Sequence, residues 1–267
     1  MKPFLLATTI FFITPLALSQ SAAAQAPAAA PAAAEDARLT AFLDAEFAEQ
    51  LKLQPQTATR LGLKEGGDRW NDISDPALGA FVAWRQASAA RMKTAFDRAR
   101  LSPAGQVNYD IWALEAERAA LSHANRAYRP PLYSRLYSAH SQLPDFLINT
   151  HGVDDVADLR NYVARLRGMP AVLDVAIART RASEATGIRV PRFQVETIIA
   201  SSEKLTSGAP FGPGPDAALW ADVKAKTEKL VTAGTLKRAA ADAQLAQART
   251  AIVALKPAYG RVIAWAK

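Results

Sequence analysis

The chain has 267 residues, of which 50% are hydrophobic and 21% are charged, and its formal net charge at pH 7 is +7. This composition is typical of a globular chain that can bury a core. Cysteine is absent, which excludes disulfide bonds, thiolate metal sites and cysteine nucleophiles.

The first 34 residues are typical of an exported protein. Lys2 precedes the apolar run PFLLATTIFFITPLALS, and the small residues SQSAAAQA follow it. This pattern predicts a signal peptide over residues 1–24, and the apolar run is shorter than the roughly 20 residues of a membrane-spanning helix. Residues 25–34 are predicted to form an Ala/Pro linker. We therefore expect a periplasmic or secreted chain with no membrane span after signal removal.

The excess of positive charge has two interpretations. A basic chain can bind nucleic acid or an anionic membrane, but export argues against nucleic acid. The arginines are spread along the chain and form no run of five or more. We therefore expect them to lie on solvated helix faces, with no nucleic-acid partner.

Helical patterns dominate from residue 35 onward and predict an all-α fold. We expect a single multi-helix domain of antiparallel-packed helices over residues 35–267. Apolar residues form one stripe over residues 36–53. The pairs Asp75-Pro76 and Ser102-Pro103 each place an N-cap residue before a helix-starting proline. The first of these helices is expected to end near Leu101.

Two later segments show apolar residues that alternate three and four positions apart, which indicates a narrow seam facing other helices. The first segment is predicted to begin at Asp154 as the N-cap, and its seam contains Val156, Leu159, Val163, Leu166, Pro170, Leu173 and Ile177. A shorter helix is expected after Pro191 and another from Asp216. The last seam contains Leu245, Ala248, Ile252, Leu255, Tyr259, Val262 and Ala266.

The final stretch KPAYGRVIAWAK contains no ordinary helix stop, because Pro257 and Gly260 precede further apolar residues. The sequence therefore predicts a domain truncated at its C-terminus, with Tyr259, Ile263 and Trp265 left exposed. The predicted partner of this surface is a missing C-terminal half, or a second copy that associates through the last helix.

No known catalytic or metal motif is recognisable. The three histidines, His123, His140 and His151, form no His-Glu dipeptide and no pair at i, i+4, so no metal ligands are predicted. We expect them to cap helices or lie at the surface. A Gly-x-Ser-x-Gly nucleophile motif is also absent, and no catalytic residue is predicted.

The segment RAYRPPLYSRLYSAH, residues 126–140, interleaves tyrosines with arginines, and we refer to it as the Tyr/Arg segment. Its candidate cleft-lining residues are Tyr128, Arg129, Tyr133, Arg135 and Tyr137. Tyrosines supply flat contact area and arginines bind carboxylates, so one interpretation is a site for a peptide or another anionic ligand. The other, which we favour, is a long connection whose rings pack on the helices.

Five blocks resemble, in the same order, the bacterial domain-of-unknown-function 885 (DUF885) family. They are LQPQTATRLGL, QVNYDIWALEAE, DFLINTHGVDDVADLRNYVARLRGMPAVLDVAIA, GIRVPRFQVETII and LKPAYGRVIAWAK. The resemblance covers nearly everything after the signal, and it corresponds to the N-terminal helical part of the family.

The resemblance implies a zinc-metallopeptidase-like protein whose His-Glu…Pro-Gly-His motif lies further downstream. That motif is absent from these 267 residues, so no family residue is carried over and zinc is expected only in a longer family member. Two function classes remain open. One is a part of an exported peptidase-like hydrolase that is not active alone. The other is a stand-alone periplasmic binding or interaction module.

Overall fold

A computed structural model describes residues 26–267, and within this range the fold is all-α, as predicted. The helices are α1 (Ala26–Leu53), α2 (Pro55–Arg60), α3 (Asp75–Ala95), α4 (Pro103–Ala124), α5 (Ala139–Asn149), α6 (Val156–Ala185), α7 (Arg192–Leu205), α8 (Ala218–Thr232), α9 (Arg238–Val253) and α10 (Leu255–Ala266). Short 3₁₀ turns occur at Arg98–Arg100 and Arg126–Tyr128. None of the helices in the described range is long and apolar enough to cross a membrane.

Helix α1 begins earlier than the sequence patterns indicated. Residues 26–34, expected to form a linker, lie in this helix. Alanine has the highest intrinsic helix propensity, and Pro31 removes only one backbone hydrogen bond near the helix start. The predicted signal peptide, residues 1–24, lies outside the described residues.

The N-terminal helices form a small core of their own, in which α1, α3 and α4 surround Leu39, Met92, Phe96 and Trp112. A polar contact fixes α1 against the start of α4. Ser102, the predicted N-cap of α4, donates its backbone N–H to Asp36 Oδ1 over 3.1 Å. Gly105 leaves room for this carboxylate, because a Cβ at that position would overlap Asp36. The caps of α3 and α6 are Ser74 and Asp155, each one residue from the predicted boundary.

The larger core surrounds α6, which contacts α5, α8, α9 and α10. The predicted seam on α6 is confirmed at its central positions, which are buried: Leu159, Val163, Leu166, Leu173 and Ile177. At about 1.5–3 kcal/mol for each large apolar side chain removed from water, this seam is a major contribution to the stability of the fold.

The last helix differs from the prediction in its partner. Leu255, Tyr259 and Val262 are buried, and α10 packs against α6 and α7 of the same chain. Ile263 is partly buried, as is Trp265, whose Nε1 donates to Glu184 Oε1 over 3.2 Å. The prediction that Tyr259, Ile263 and Trp265 lie in water is therefore wrong. Spacing along one helix indicates a seam, but it does not tell which helix fills it.

A proline in α5 explains the most specific contact of the last helix. Pro144 has no N–H, so the carbonyl of His140, four residues earlier, lacks its usual helical donor. The hydroxyl of Tyr259 supplies it, with an O–O distance of 2.6 Å in a buried setting. Burial raises the pKa of the Tyr259 hydroxyl, which keeps it protonated and able to donate.

We expect Tyr259→Phe to lower the free energy of unfolding by about 1–3 kcal/mol, because it leaves a buried carbonyl without a donor. In a Pro144→Ala background the new backbone N–H can bond to His140, so the same change should cost less. Urea denaturation of the two single variants and the double variant measures this coupling. Equal costs of Tyr259→Phe in both backgrounds would contradict the explanation.

Candidate functional site

Two buried residues anchor the Tyr/Arg segment. Leu132 is fully buried in the larger core, and its backbone N–H donates to Thr180 Oγ1 of α6 over 3.2 Å. Ser138 Oγ accepts the backbone N–H groups of Tyr133 and Ser134, each over 2.9 Å. The backbone is therefore held by a small number of inward contacts, while most of the ring and guanidinium groups point outward.

The five candidate residues of this segment do not converge on one cleft. Tyr128 and Tyr137 are 68% and 69% exposed, so their rings do not pack on the helices as the favoured interpretation expected. Arg129 lines a groove beside α3 and α4, whereas Tyr133, Arg135 and Tyr137 line a second groove beside α7. Tyr128 lines neither of these two grooves.

The groove that Arg129 lines, which we call the basic groove, lies among α3, α4 and α6 and has a volume of about 330 Å³. Three arginines line it: Arg126 and Arg129 of the Tyr/Arg segment and Arg179 of α6. Its apolar wall consists of Leu78, Phe81 and Val82, which share one face of α3 because they are three and four residues apart. The groove thus joins cationic groups to an apolar surface.

One carboxylate orders two of the three guanidinium groups. Asp75 Oδ1 lies 3.0 Å from Arg179 Nε and 3.4 Å from Arg126 Nε. Arg126 also donates from Nη1 to the carbonyl of His123 over 3.0 Å. Within the part of the chain that the structure describes, Arg129 makes no ion pair. Three cations and one anion leave the groove with an excess of positive charge and a free guanidinium at its rim.

The second groove, which we call the aromatic groove, has a volume of about 540 Å³. Tyr133, Tyr137 and Phe193 of α7 line it, and Arg135 contributes a cation. Phe193 and Tyr137 are 63% and 69% exposed, so this groove is open to solvent. Neither Phe193 nor Arg179 was recognisable from the sequence, because both lie far along the chain from the Tyr/Arg segment and no local motif marks either.

His151 is buried, contrary to the expectation of a cap or surface role, and both of its ring nitrogens are engaged. Arg165 Nη1 lies 2.8 Å from Nδ1, which must accept because a guanidinium can only donate. Nε2 therefore carries the proton and donates to the carbonyl of Asp158 over 3.2 Å. Burial lowers the pKa of His151 to about 4, and the nearby Arg165 adds to this effect.

His140 is also fully buried. Its Nε2 lies 2.9 Å from Ser201 Oγ, and its Nδ1 has no hydrogen-bond partner among residues 26–267. Burial lowers its pKa to about 4, so the ring is neutral at pH 7. His123 lies apart from both, in the wall of the basic groove.

The described residues do not fit a zinc site. Within residues 26–267 no group of three His, Asp or Glu side chains is arranged to hold a metal ion. His151 has no free ring nitrogen, and the free nitrogen of His140 is enclosed by the core. That the purified chain binds no zinc stays a prediction.

Comparison with known proteins decides the family. Residues 55–267 match the family described as "Bacterial protein of unknown function (DUF885)". The chain belongs to the DUF885 family. The match includes α2 to α10 and all the residues named above for the two grooves, and no curated protein shows significant similarity to this DUF885 chain.

A solved structure shares the fold. It is the crystal structure of the "putative lipoprotein" from Colwellia psychrerythraea, with a TM-score of 0.69 and 13% sequence identity. The match covers 87% of the DUF885 chain described here and 41% of the Colwellia chain. The chain thus spans about two fifths of the length of this structural neighbour.

Proposed function

We propose that this chain is the helical ligand-binding part of an exported, hydrolase-like DUF885 protein. In this proposal it forms the wall of a cleft, and polypeptide outside these 267 residues carries the metal and the chemistry. The Colwellia protein, which extends well beyond the matched part, supports such a division, and its lipoprotein description supports export. The pattern of residues 1–24 supports export independently.

The observation that carries the proposal is the basic groove. Arginines that bind carboxylates and an apolar wall on α3 suit a peptide better than a neutral sugar, which offers hydroxyl groups and no charge. Two of its arginines, Arg126 and Arg129, belong to the Tyr/Arg segment. Peptides are also the substrates that the family resemblance implies.

The second candidate function is a stand-alone periplasmic binding module. The packing of α10 favours it, because the last helix finds its partners within the described chain. Both candidates use the same groove and predict that the chain binds its ligand without changing it. They differ in whether further polypeptide is required for activity.

The further polypeptide that the sequence patterns placed against the last helix has a more suitable contact surface on α4. Four large apolar residues on the outer side of this helix are 43–66% exposed: Val107, Ile111, Leu114 and Leu121. They lie at helical spacing along one face, as the residues of a seam do. We propose this face of α4 as the contact surface for the further polypeptide of a longer family member.

Purified mature chain should bind short peptides without cleaving them. The test uses fluorescein-labelled tetrapeptides with one equivalent of zinc. Fluorescence anisotropy measures binding, and mass spectrometry detects any new product. We expect saturable binding and intact peptides. Cleavage that is lost in His140→Asn or His151→Gln would contradict the proposal, and so would the absence of binding by every peptide tested.

A further inference from the structure

We propose that the basic groove binds the free carboxylate of a peptide C-terminus whose last side chain is apolar. This inference rests on the proposed function and names its ligand class. Arg129 is the residue that contacts the carboxylate first, since it lies exposed at the rim and its guanidinium has no ion pair within residues 26–267. A planar guanidinium and a carboxylate can form two parallel hydrogen bonds.

The positions of the other two arginines fit this assignment. Asp75 binds the Nε atoms of Arg126 and Arg179, which fixes the direction of both side chains. Arg179 is only 15% exposed in its side chain, so its position is set by packing on α6 as well. Besides the exposed Arg129, the groove thus offers two arginines whose direction is already set, so little ordering of these two side chains is required on binding.

The size of the groove distinguishes a C-terminus from an internal acidic residue. A C-terminal residue carries its carboxylate and its side chain on the same carbon atom, so both groups fit into one small space. In a groove of about 330 Å³, the arginines can hold the carboxylate while the side chain lies on Phe81 and its neighbours. An internal glutamate carries only the carboxylate, and the nearest apolar side chain belongs to another residue. Binding both groups would therefore need a longer groove.

The apolar wall also distinguishes this ligand from a simple oxyanion. Phe81 packs against Trp84, with ring centroids 5.7 Å apart, so its ring is held in place at the groove. Phosphate has no group that could use this surface. The wall therefore predicts that a terminal phenylalanine binds more tightly than a terminal glycine.

The test compares the labelled peptide Ala-Ala-Ala-Phe as free acid and as C-terminal amide, together with Ala-Ala-Ala-Gly as free acid. We expect the amide to bind about tenfold or more weakly than the acid, because it lacks the charge, and the glycine peptide to be weaker than the phenylalanine peptide. Equal affinity of acid and amide would overturn the inference and leave the proposed function standing. Failure of all three peptides to bind would overturn both.

Matched variants locate the site. Arg129→Gln should weaken binding of the free acid about tenfold and leave binding of the amide unchanged. Arg135→Gln removes the same charge from the same segment but on the aromatic groove, so it should have no such effect. Loss of binding in Arg135→Gln with full binding in Arg129→Gln would overturn the assignment. Circular dichroism of both variants checks that they are folded.

Discussion

Replacing Arg165 by methionine should lower the free energy of unfolding by about 3–5 kcal/mol, the largest effect we expect from any single change in this chain. Arg165 is fully buried in α6, yet no carboxylate of residues 26–267 pairs with it directly. Its guanidinium instead donates to the carbonyls of Arg69 and Gly66 and to Thr59 Oγ1, over 3.0, 3.3 and 2.8 Å respectively. A fourth contact reaches His151.

Two opposing effects decide the size of this change. Removing a buried charge relieves the cost of keeping it out of water, a cost that also lowers the pKa of Arg165 to about 10. Methionine fills much of the space but loses the cation–π contacts of the guanidinium, whose carbon lies 5.6 Å from the ring centroid of Trp70 and 5.0 Å from that of Phe146. The loss of the hydrogen bonds that the guanidinium donates should outweigh this relief. The two carbonyls and the Thr59 hydroxyl that accept them remain partly buried and cannot all reach water.

The consequence reaches beyond α6, since these acceptors belong to α2 and to the segment between α2 and α3. Arg165 thus helps to join the N-terminal helices to the larger core, together with the ion pair of Asp75 and Arg179. Guanidinium denaturation, followed by circular dichroism, measures the change. Arg167→Met is the matched control: it removes an exposed arginine of the same helix, bonded to Gln247, and should cost less than about 0.5 kcal/mol. If Arg165→Met were as stable as this control, the hydrogen bonds of Arg165 would not contribute to stability as we infer.

Arg165 also shows what the sequence patterns could and could not predict. The seam on α6 was predictable because buried leucines and valines recur with the helical period. An arginine between them is ordinarily solvent-exposed, and only contacts with residues about 100 positions earlier in the chain explain its burial. Long-range hydrogen bonds leave no periodic trace in a sequence.

The same limit applies to the candidate site. The Tyr/Arg segment was recognised by composition, and Arg129 does line a groove. The other half of that groove comes from α3, α4 and α6, whose contributions, such as Phe81 and Arg179, have no local marker. The helix α5 was also not predicted, because Pro144 within it indicates a break and its missing donor is replaced by Tyr259 from the far end of the chain.

The stability of the protein should fall between pH 6.5 and about pH 4 because of two buried histidines. Burial lowers the pKa of both His140 and His151 to about 4, against an ordinary value of 6.5. In this interval the unfolded chain takes up protons on these rings and the folded chain does not. Protonation therefore favours the unfolded state as the pH falls, and the stability is complete only above about pH 6.5.

The structure explains why neither ring accepts a proton while folded. On His151 the unprotonated nitrogen, Nδ1, already accepts from the Arg165 guanidinium, so a second proton on the ring would face a cation. On His140 the proton would enter Nδ1, which has no acceptor in its buried surroundings. Because a tenfold change in an acid dissociation constant corresponds to about 1.4 kcal/mol, each histidine should contribute a loss of about 3 kcal/mol.

Denaturant titrations at half-unit steps from pH 7.5 to 4.5 measure this loss, and its position separates the histidines from the carboxylates. The pKa values of Asp110, Asp155 and Glu228 are lowered below their ordinary range by hydrogen bonds from Arg98, Lys64 and Arg238, so these groups titrate at lower pH. His140→Asn and His151→Gln should each be less stable at pH 7 and lose about half of the pH dependence. A free energy of unfolding that stays constant from pH 7 to 4.5 would show that these rings are protonated in the folded state, contrary to the hydrogen bonds described for them.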